Sequence, residues 1–262
     1  MIKPYQEKAI NSLNKICDFS GKKILEICGG TLPDVALELL KRGAEKVITI
    51  DYKKNLVDKK YSGNLEFFNM DARNLEFGEN EFDIVFGIAV LEHLNNLDKV
   101  LSEIYRVLVK NGYAYLHGAA IWSCYLGHHV WVHADGVAYE FNGNNPIPDW
   151  GHLIYQKEEM REYLESQNIK PDHAQKIVHH IYDAPNLNRY HYEQLIKFFK
   201  ESKLTVLKIN KTLWKAADKK TLDILKTIDD KNNKSIFRFF TRKPKYSIKN
   251  HSIGAIEVIM RK

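Results

Sequence analysis

Residues 22–30 read Lys-Lys-Ile-Leu-Glu-Ile-Cys-Gly-Gly, and the reading of this stretch decides the fold. An apolar run carries one carboxylate, Glu26, and runs into Gly29-Gly30, Thr31 and a helix-like segment. That pattern describes a buried strand turning sharply into a helix. In an open α/β sheet, the crevice beyond the end of such a strand is where ligands bind. The glycines let a ligand approach the backbone closely, and Glu26 can hold a hydroxyl or an ammonium.

Working outward, strand and helix patterns alternate. On the N-terminal side, Ala9, Ile10, Leu13, Ile16 and Cys17 give residues 4–19 a helical spacing. On the other side, Pro33 opens a helix that ends at Gly43. Glu45 to Asp51 is a second strand ending in an acid, and a short polar helix follows. Asn64 to Asp71 is a third strand, again ending in an acid, and Phe82 to Ala89 is a fourth. The spacing predicts a helix over Leu91–Leu108, a turn at Asn111-Gly112 and a fifth strand over Tyr113–Ala119. Strands separated by helices in this way imply βαβ units and a parallel sheet.

The pattern breaks at residues 120–156, which hold Trp122, Trp131 and Trp150 and four of the eleven histidines. Such a stretch is richer in stacking and hydrogen-bonding groups than a connector needs. Helices are predicted over 157–167, 172–182, 190–201 and 214–228, with strands over Leu204–Ile209 and Ser252–Met260. Seven strands in all make the expected sheet.

Composition sets the bounds. The chain has 262 residues, 44% hydrophobic and 27% charged, enough for one generous domain with a real core. The longest apolar run, Ile84–Leu91, is far short of a membrane span. The N-terminus lacks the apolar segment of a secretion signal, so the expected location is the cytoplasm. Cys17, Cys28 and Cys124 are odd in number and without paired spacing, which argues against a disulfide framework or zinc ribbon. The net charge is +6, and Lys231 to Lys249 holds seven Lys or Arg and no acid. That stretch is either a solvated loop or a contact for an anionic substrate or surface.

The first four strands resemble the class I S-adenosylmethionine-dependent methyltransferases. The resemblance rests on Glu26-Ile27-Cys28-Gly29-Gly30-Thr31 after the first strand, on Asp51 and Asp71 ending the next two, and on Phe82-Asp83-Ile84-Val85-Phe86 leading into Val90-Leu91-Glu92-His93-Leu94. It covers residues 20–120. It implies a Rossmann-like seven-stranded, mostly parallel α/β sheet with helices on both faces and an inserted substrate-binding region. Within a single domain it implies a cofactor-binding half over 1–119, a substrate region over 120–202 and sheet-completing strands over 203–262. S-adenosylmethionine is the implied cofactor and S-adenosylhomocysteine the product. The cofactor residues it implies are Glu26, Cys28, Gly29, Gly30, Asp51, Tyr52, Asp71, Ala72, Gly87 and His93. Asp51 would take the ribose hydroxyls, and Asp71, with the backbone of Ala72, the adenine amine. The family pattern has glycine where this chain has Cys28 and Leu32.

Other readings stand beside it. Asp51 and Asp71 could cap the following helices, and Glu92-His93 could simply start one. A nicotinamide-binding domain would show G-x-G-x-x-G at the first turn, and this chain has only Gly29-Gly30.

Methyl transfer to an alcohol needs an aligned nucleophile and a base for its proton. The candidate bases are His128, His129 and His133, in a cluster expected at the carboxyl edge of the sheet. With Asp135 they could also bind a divalent metal, although the spacing is no known ligand signature and no metal is expected. Trp122, Trp131, Trp150, Arg189 and Tyr190 are the candidate acceptor-binding groups, Arg189 as a clamp for phosphate or carboxylate. The expected activity is O-methylation of a small polar acceptor: a sugar, a nucleotide-linked sugar or a phosphorylated precursor of a surface glycan. The alternatives are an RNA methyltransferase using the 231–249 stretch, and a non-catalytic domain that keeps the fold. Nucleic acid is not the favoured partner, and the oligomeric state is open.

Overall fold

The computed structural model describes residues 2–30, 32–52, 59–234 and 250–262. The basic stretch at 235–249 and Thr31 lie outside the described residues. In chain order the elements are α1 (Pro4–Asn14), β1 (Lys23–Ile27), α2 (Asp34–Lys41), β2 (Lys46–Asp51), β3 (Lys59–Ser62), β4 (Leu65–Asn69), β5 (Phe82–Gly87), α3 (Leu97–Val107) and β6 (Leu108–Ala119). There follow β7 (Trp131–Ala134), β8 (Val137–Glu140), α4 (Gly151–Ile154), α5 (Lys157–Ser166), α6 (Pro171–Tyr182), α7 (Tyr192–Glu201), β9 (Thr205–Leu213), α8 (Lys219–Lys234) and β10 (Ile253–Arg261).

The main sheet has the order β3-β4-β2-β1-β5-β6-β10-β9. Its centre is parallel: β1 pairs with β2 and β5, β2 with β4, and β5 with β6. The seven expected strands are all present, as a Rossmann-like, mostly parallel sheet. An eighth, β3, is added antiparallel to β4 at the edge, in the region expected as a short polar helix. Residues 53–58 of that region lie outside the described residues.

The chain moves from β1 to β2 and β4 on one side, then returns to β5 on the other. This reversal leaves a crevice at the carboxyl ends of β1 and β5. β1, β2 and β5 read as nearly continuous apolar runs because both faces of the central strands are covered. Ile24, Val47, Ile84 and Phe86 pack with Ala9, Ile10 and Leu13 of α1 and Val35, Ala36 and Leu39 of α2.

Several boundaries differ from the sequence reading: β9 runs on to Leu213, and α8 spans Lys219–Lys234 where the spacing predicts a helix over 214–228. α3 starts at Leu97 instead of Leu91, because Asn96 before it is left-handed (φ 52°). The Asn111-Gly112 pair is not a turn between elements. It lies inside β6, where Asn111 takes a positive φ, its N–H reaches Lys262 O, and Gly112 O accepts from Lys262 N.

Two compact units make up the chain. The first comprises Met1–Gly118, Phe198–Asn210 and Glu257–Lys262, and the second Ala119–Lys197 and Lys211–Ile256. The second has its own core, in which Val130, Val132 and Tyr139 of the β7–β8 segment meet Met160 and Leu164 of α5 and Ala174, Ile177, Val178 and Ile181 of α6. Among the described residues no helix is long and apolar enough to cross a membrane.

Candidate functional site

In the first unit, the turn after β1 and the acid ending β2 are joined directly. Gly30, with φ 69°, donates its backbone N–H to Asp51 Oδ2 at 3.0 Å. Only a residue without a Cβ adopts that φ freely, and a side-chain atom built on Gly30 would meet nothing within 4 Å. The face above Gly30 is therefore open. Gly29 is different: an added Cβ would lie 2.8 Å from the Glu26 carboxyl and closer still to the Thr49 methyl. Its missing side chain is demanded by packing beneath the turn. Cys28 is also left-handed, at φ 53°, so the position where the resembled family has glycine keeps a glycine conformation while carrying a thiol.

Glu26 is buried and accepts from Thr49 Oγ1 at 2.8 Å. Burial pushes its carboxyl up to about 7; the Thr49 bond pulls the other way and the nearby Asp51 adds to the rise. Asp51 is itself buried, at the end of β2, and the following Tyr52 is exposed. Asp71 follows β4 and accepts from the Arg73 guanidinium at 2.6–3.0 Å and from the Arg73 backbone N–H at 2.8 Å. That arginine holds the Asp71 carboxyl below its usual range. Ala72 is buried beside it. Gly87 ends β5, where an added Cβ would come within 2.9 Å of both Ile27 and Val90, so the glycine lets the ends of β1 and β5 close together. His93, half-buried, donates its backbone N–H to Val90 O at 2.8 Å in the turn after β5.

In the second unit the three candidate bases part company. His128 is fully buried, and its Nδ1 accepts from Val130 N–H at 3.1 Å. Desolvation, reinforced by the neighbouring His152, His129 and His180, holds it well below the usual imidazole range. The His129 ring stacks on Phe141 with centroids 4.3 Å apart, and its carbonyl accepts from His180 Nε2 at 3.0 Å. His133, on β7, has a side chain 62% exposed, with Nε2 3.3 Å from Glu140 Oε1. Asp135 turns to His173 instead: its Oδ2 accepts from His173 Nε2 at 3.0 Å, and His173 Nδ1 accepts from the Tyr139 hydroxyl at 2.9 Å. His128, His133 and Asp135 thus each have a different partner.

The acceptor-binding candidates also separate. Trp131 is 50% exposed on β7, its ring at 29° to the His133 ring. Trp122 is half-buried against His152, edge to face at 4.5 Å. Trp150 is buried, and its indole N–H donates to His251 O at 3.1 Å. Arg189 does not present an open fork. Nε, Nη1 and Nη2 donate to the carbonyls of Ile181, Leu187 and Ala184 at 2.8–3.0 Å, closing the C-terminal end of α6. Tyr190 follows it, its backbone N–H held by Asn188 Oδ1.

Sequence reasoning passed over His152 and His173. His152 is buried, donates from Nε2 to Trp122 O at 2.7 Å, and is pushed down to about 3 by desolvation. No local signal distinguishes these histidines from exposed ones.

The family described as "Methyltransferase domain" matches residues 25–116. The chain is 29% identical over 164 residues to the ubiquinone/menaquinone biosynthesis C-methyltransferase UbiE of Hydrogenovibrio crunogenus, covering 58% of this chain and 61% of that protein. It thus spans about three-fifths of that relative's length. In structure it is similar to an S-adenosylmethionine-dependent methyltransferase from Mesorhizobium loti (TM-score 0.54, 8% identity, 99% of this chain and 96% of that one). It is likewise similar to a Haemonchus contortus phosphoethanolamine N-methyltransferase in complex with S-adenosyl-L-methionine (TM-score 0.53, 14% identity, 98% of this chain and 52% of that one). Residues 25–116 match a methyltransferase domain, and the sheet shares the fold of these S-adenosylmethionine-dependent methyltransferases.

Proposed function

We propose that this chain transfers a methyl group from S-adenosylmethionine to a hydroxyl oxygen of a small polar acceptor, a sugar or a related glycan precursor. The observation that carries the cofactor half is the Gly30–Asp51 hydrogen bond beside an open turn. The residues fit the group: two buried carboxylates, Glu26 and Asp51, suit a ligand bearing ribose hydroxyls and an ammonium. When bound, the cofactor supplies an activated methyl on a sulfonium. Asp51 would accept from the ribose hydroxyls, the Cys28–Gly30 turn would carry the amino-acid end, and Asp71 with Ala72 would meet the adenine. Asp71 would do so with Arg73 already on both its oxygens, so Arg73 orients the carboxylate and competes for it.

For the acceptor half, His133 is the favoured base. Its ring is solvent-facing and has Glu140 as a carboxylate partner, an arrangement that orients an imidazole. His128 is neutral and enclosed, so it supports the fold of the segment. Trp131 offers a ring for stacking against a sugar face. Arg189 leaves the acceptor-binding set, since its donors are spent on the carbonyls at the end of α6 and in the segment after it.

A second reading is carbon methylation, supported by the name of the UbiE relative. Incubation with methyl-labelled donor, followed by NMR of the product, separates an oxygen-bound from a carbon-bound methyl. Calorimetry tests the cofactor: Asp51→Ala should weaken S-adenosylmethionine binding at least tenfold, as loss of charge-assisted hydrogen bonds does. Unchanged binding would sink the assignment. His133→Gln should lose turnover and keep cofactor affinity.

A further inference from the structure

Glu26 sits one residue before the end of β1 with the turn folded over it. Its Oε2 takes the Thr49 hydroxyl at 2.8 Å, and a Cβ on Gly29 would lie 2.8 Å from both Cδ and Oε2. The turn that would receive the cofactor therefore rests directly on the carboxyl, with no room for a side chain between them. From β2 the charged neighbour is Asp51, a like charge. From β5 the neighbours are Phe86, in register with Glu26, and Gly87, and neither carries charge. The Cys28 thiol belongs to the turn itself. A carboxyl so enclosed, beside another acid, holds its proton near neutrality.

We propose that Glu26 makes this turn select a cation: a positively charged ligand seated on Cys28–Gly30 binds with release of the Glu26 proton to solvent. The O–H bond of the carboxyl breaks, the proton goes to buffer, and the carboxylate left behind faces the ligand's charge. No other bond changes. The inference rests on the cofactor reading above and deepens it. Between about pH 5 and 7, affinity for a cationic ligand rises by up to tenfold per pH unit, and it flattens above that. An uncharged ligand of similar shape gains nothing from the same rise.

Calorimetry at about pH 6, in two buffers of different ionisation enthalpy, counts the protons released. S-adenosylmethionine should release close to one per molecule bound and adenosine none. Glu26→Gln should bind S-adenosylmethionine without release and with a flat pH profile. Thr49→Val, which removes the bond that favours the charged form, should move the wild-type release profile to higher pH. Binding of S-adenosylmethionine without proton release, release that persists in Glu26→Gln, or a Thr49→Val profile that stays in place would each overturn the proposal. Absence of any binding would instead strike the cofactor reading itself, and the proposal with it.

Discussion

The first unit buries a carboxyl, Glu26, whose charged neighbour is another acid. The second buries imidazoles, His128 and His152, in a shell of other histidines. Both arrangements keep a titratable group neutral, and they respond to pH in opposite directions. Glu26 is raised in the folded chain, so its contribution is fully present below the unfolded carboxylate value and is lost as pH rises through about 7. The histidines are lowered. Their contribution is present above about 6.5 and is lost as pH falls, for His152 down to about 3. The difference teaches where each unit's polarity is used. In the first, the neutral acid underlies the turn proposed to carry the cofactor. In the second, the neutral rings are filler and hydrogen-bonding struts for a core.

The largest expected effect follows from the imidazoles. Lowering pH from 6.5 to 5.0 should cost roughly 1.6 kcal/mol for each of His128 and His152, since each unfolded ring takes up a proton that the folded one refuses. Urea titrations across that range measure the slope. His152→Gln, which keeps a donor for Trp122 O, should remove about half of it. An unchanged slope would show that His152 is not the group responsible.

A smaller effect separates scaffold from ligand turn. Arg189→Ala should cost about 2 kcal/mol, because the carbonyls of Ile181, Ala184 and Leu187 lose a charged partner. Arg189→Lys should recover only part, lacking the fork. Cofactor affinity should not move in either; a selective loss of acceptor binding with stability intact would return Arg189 to the substrate set. The smallest effect is at the turn. Cys28→Gly should relieve about 1 kcal/mol of left-handed strain, partly offset by the greater freedom of glycine in the unfolded chain. Thermal melts should show a small gain, and a loss above about 1 kcal/mol would mean that the thiol packs usefully.

The first unit was legible because its physics is local along the chain. A strand covered on both faces is apolar nearly throughout, as in Ile84-Val85-Phe86, and an acid at or near the end of such a strand stands out. What escaped there depended on partners remote in sequence. Asn111-Gly112 reads as a turn until Lys262 arrives to pair with both residues. Asn96 reads as helical until the chain entering α3 has to bend. In the second unit the β7–β8 pair was missed, because two four-residue strands joined by Asp135-Gly136 leave little periodicity.

From sequence alone came the alternation of strands and helices, the turn at Cys28–Gly30 and the acids at 26, 51 and 71. Those acids fall within two residues of a strand end, and burial of a central strand leaves few other compositions. The tertiary structure alone decided which histidine is open and which is sealed, and that the Arg189 guanidinium faces carbonyls instead of a ligand. His128, His129 and His133 share one chemistry within six residues of chain. What separates them is what packs against each ring, and packing is a property of segments far apart in sequence.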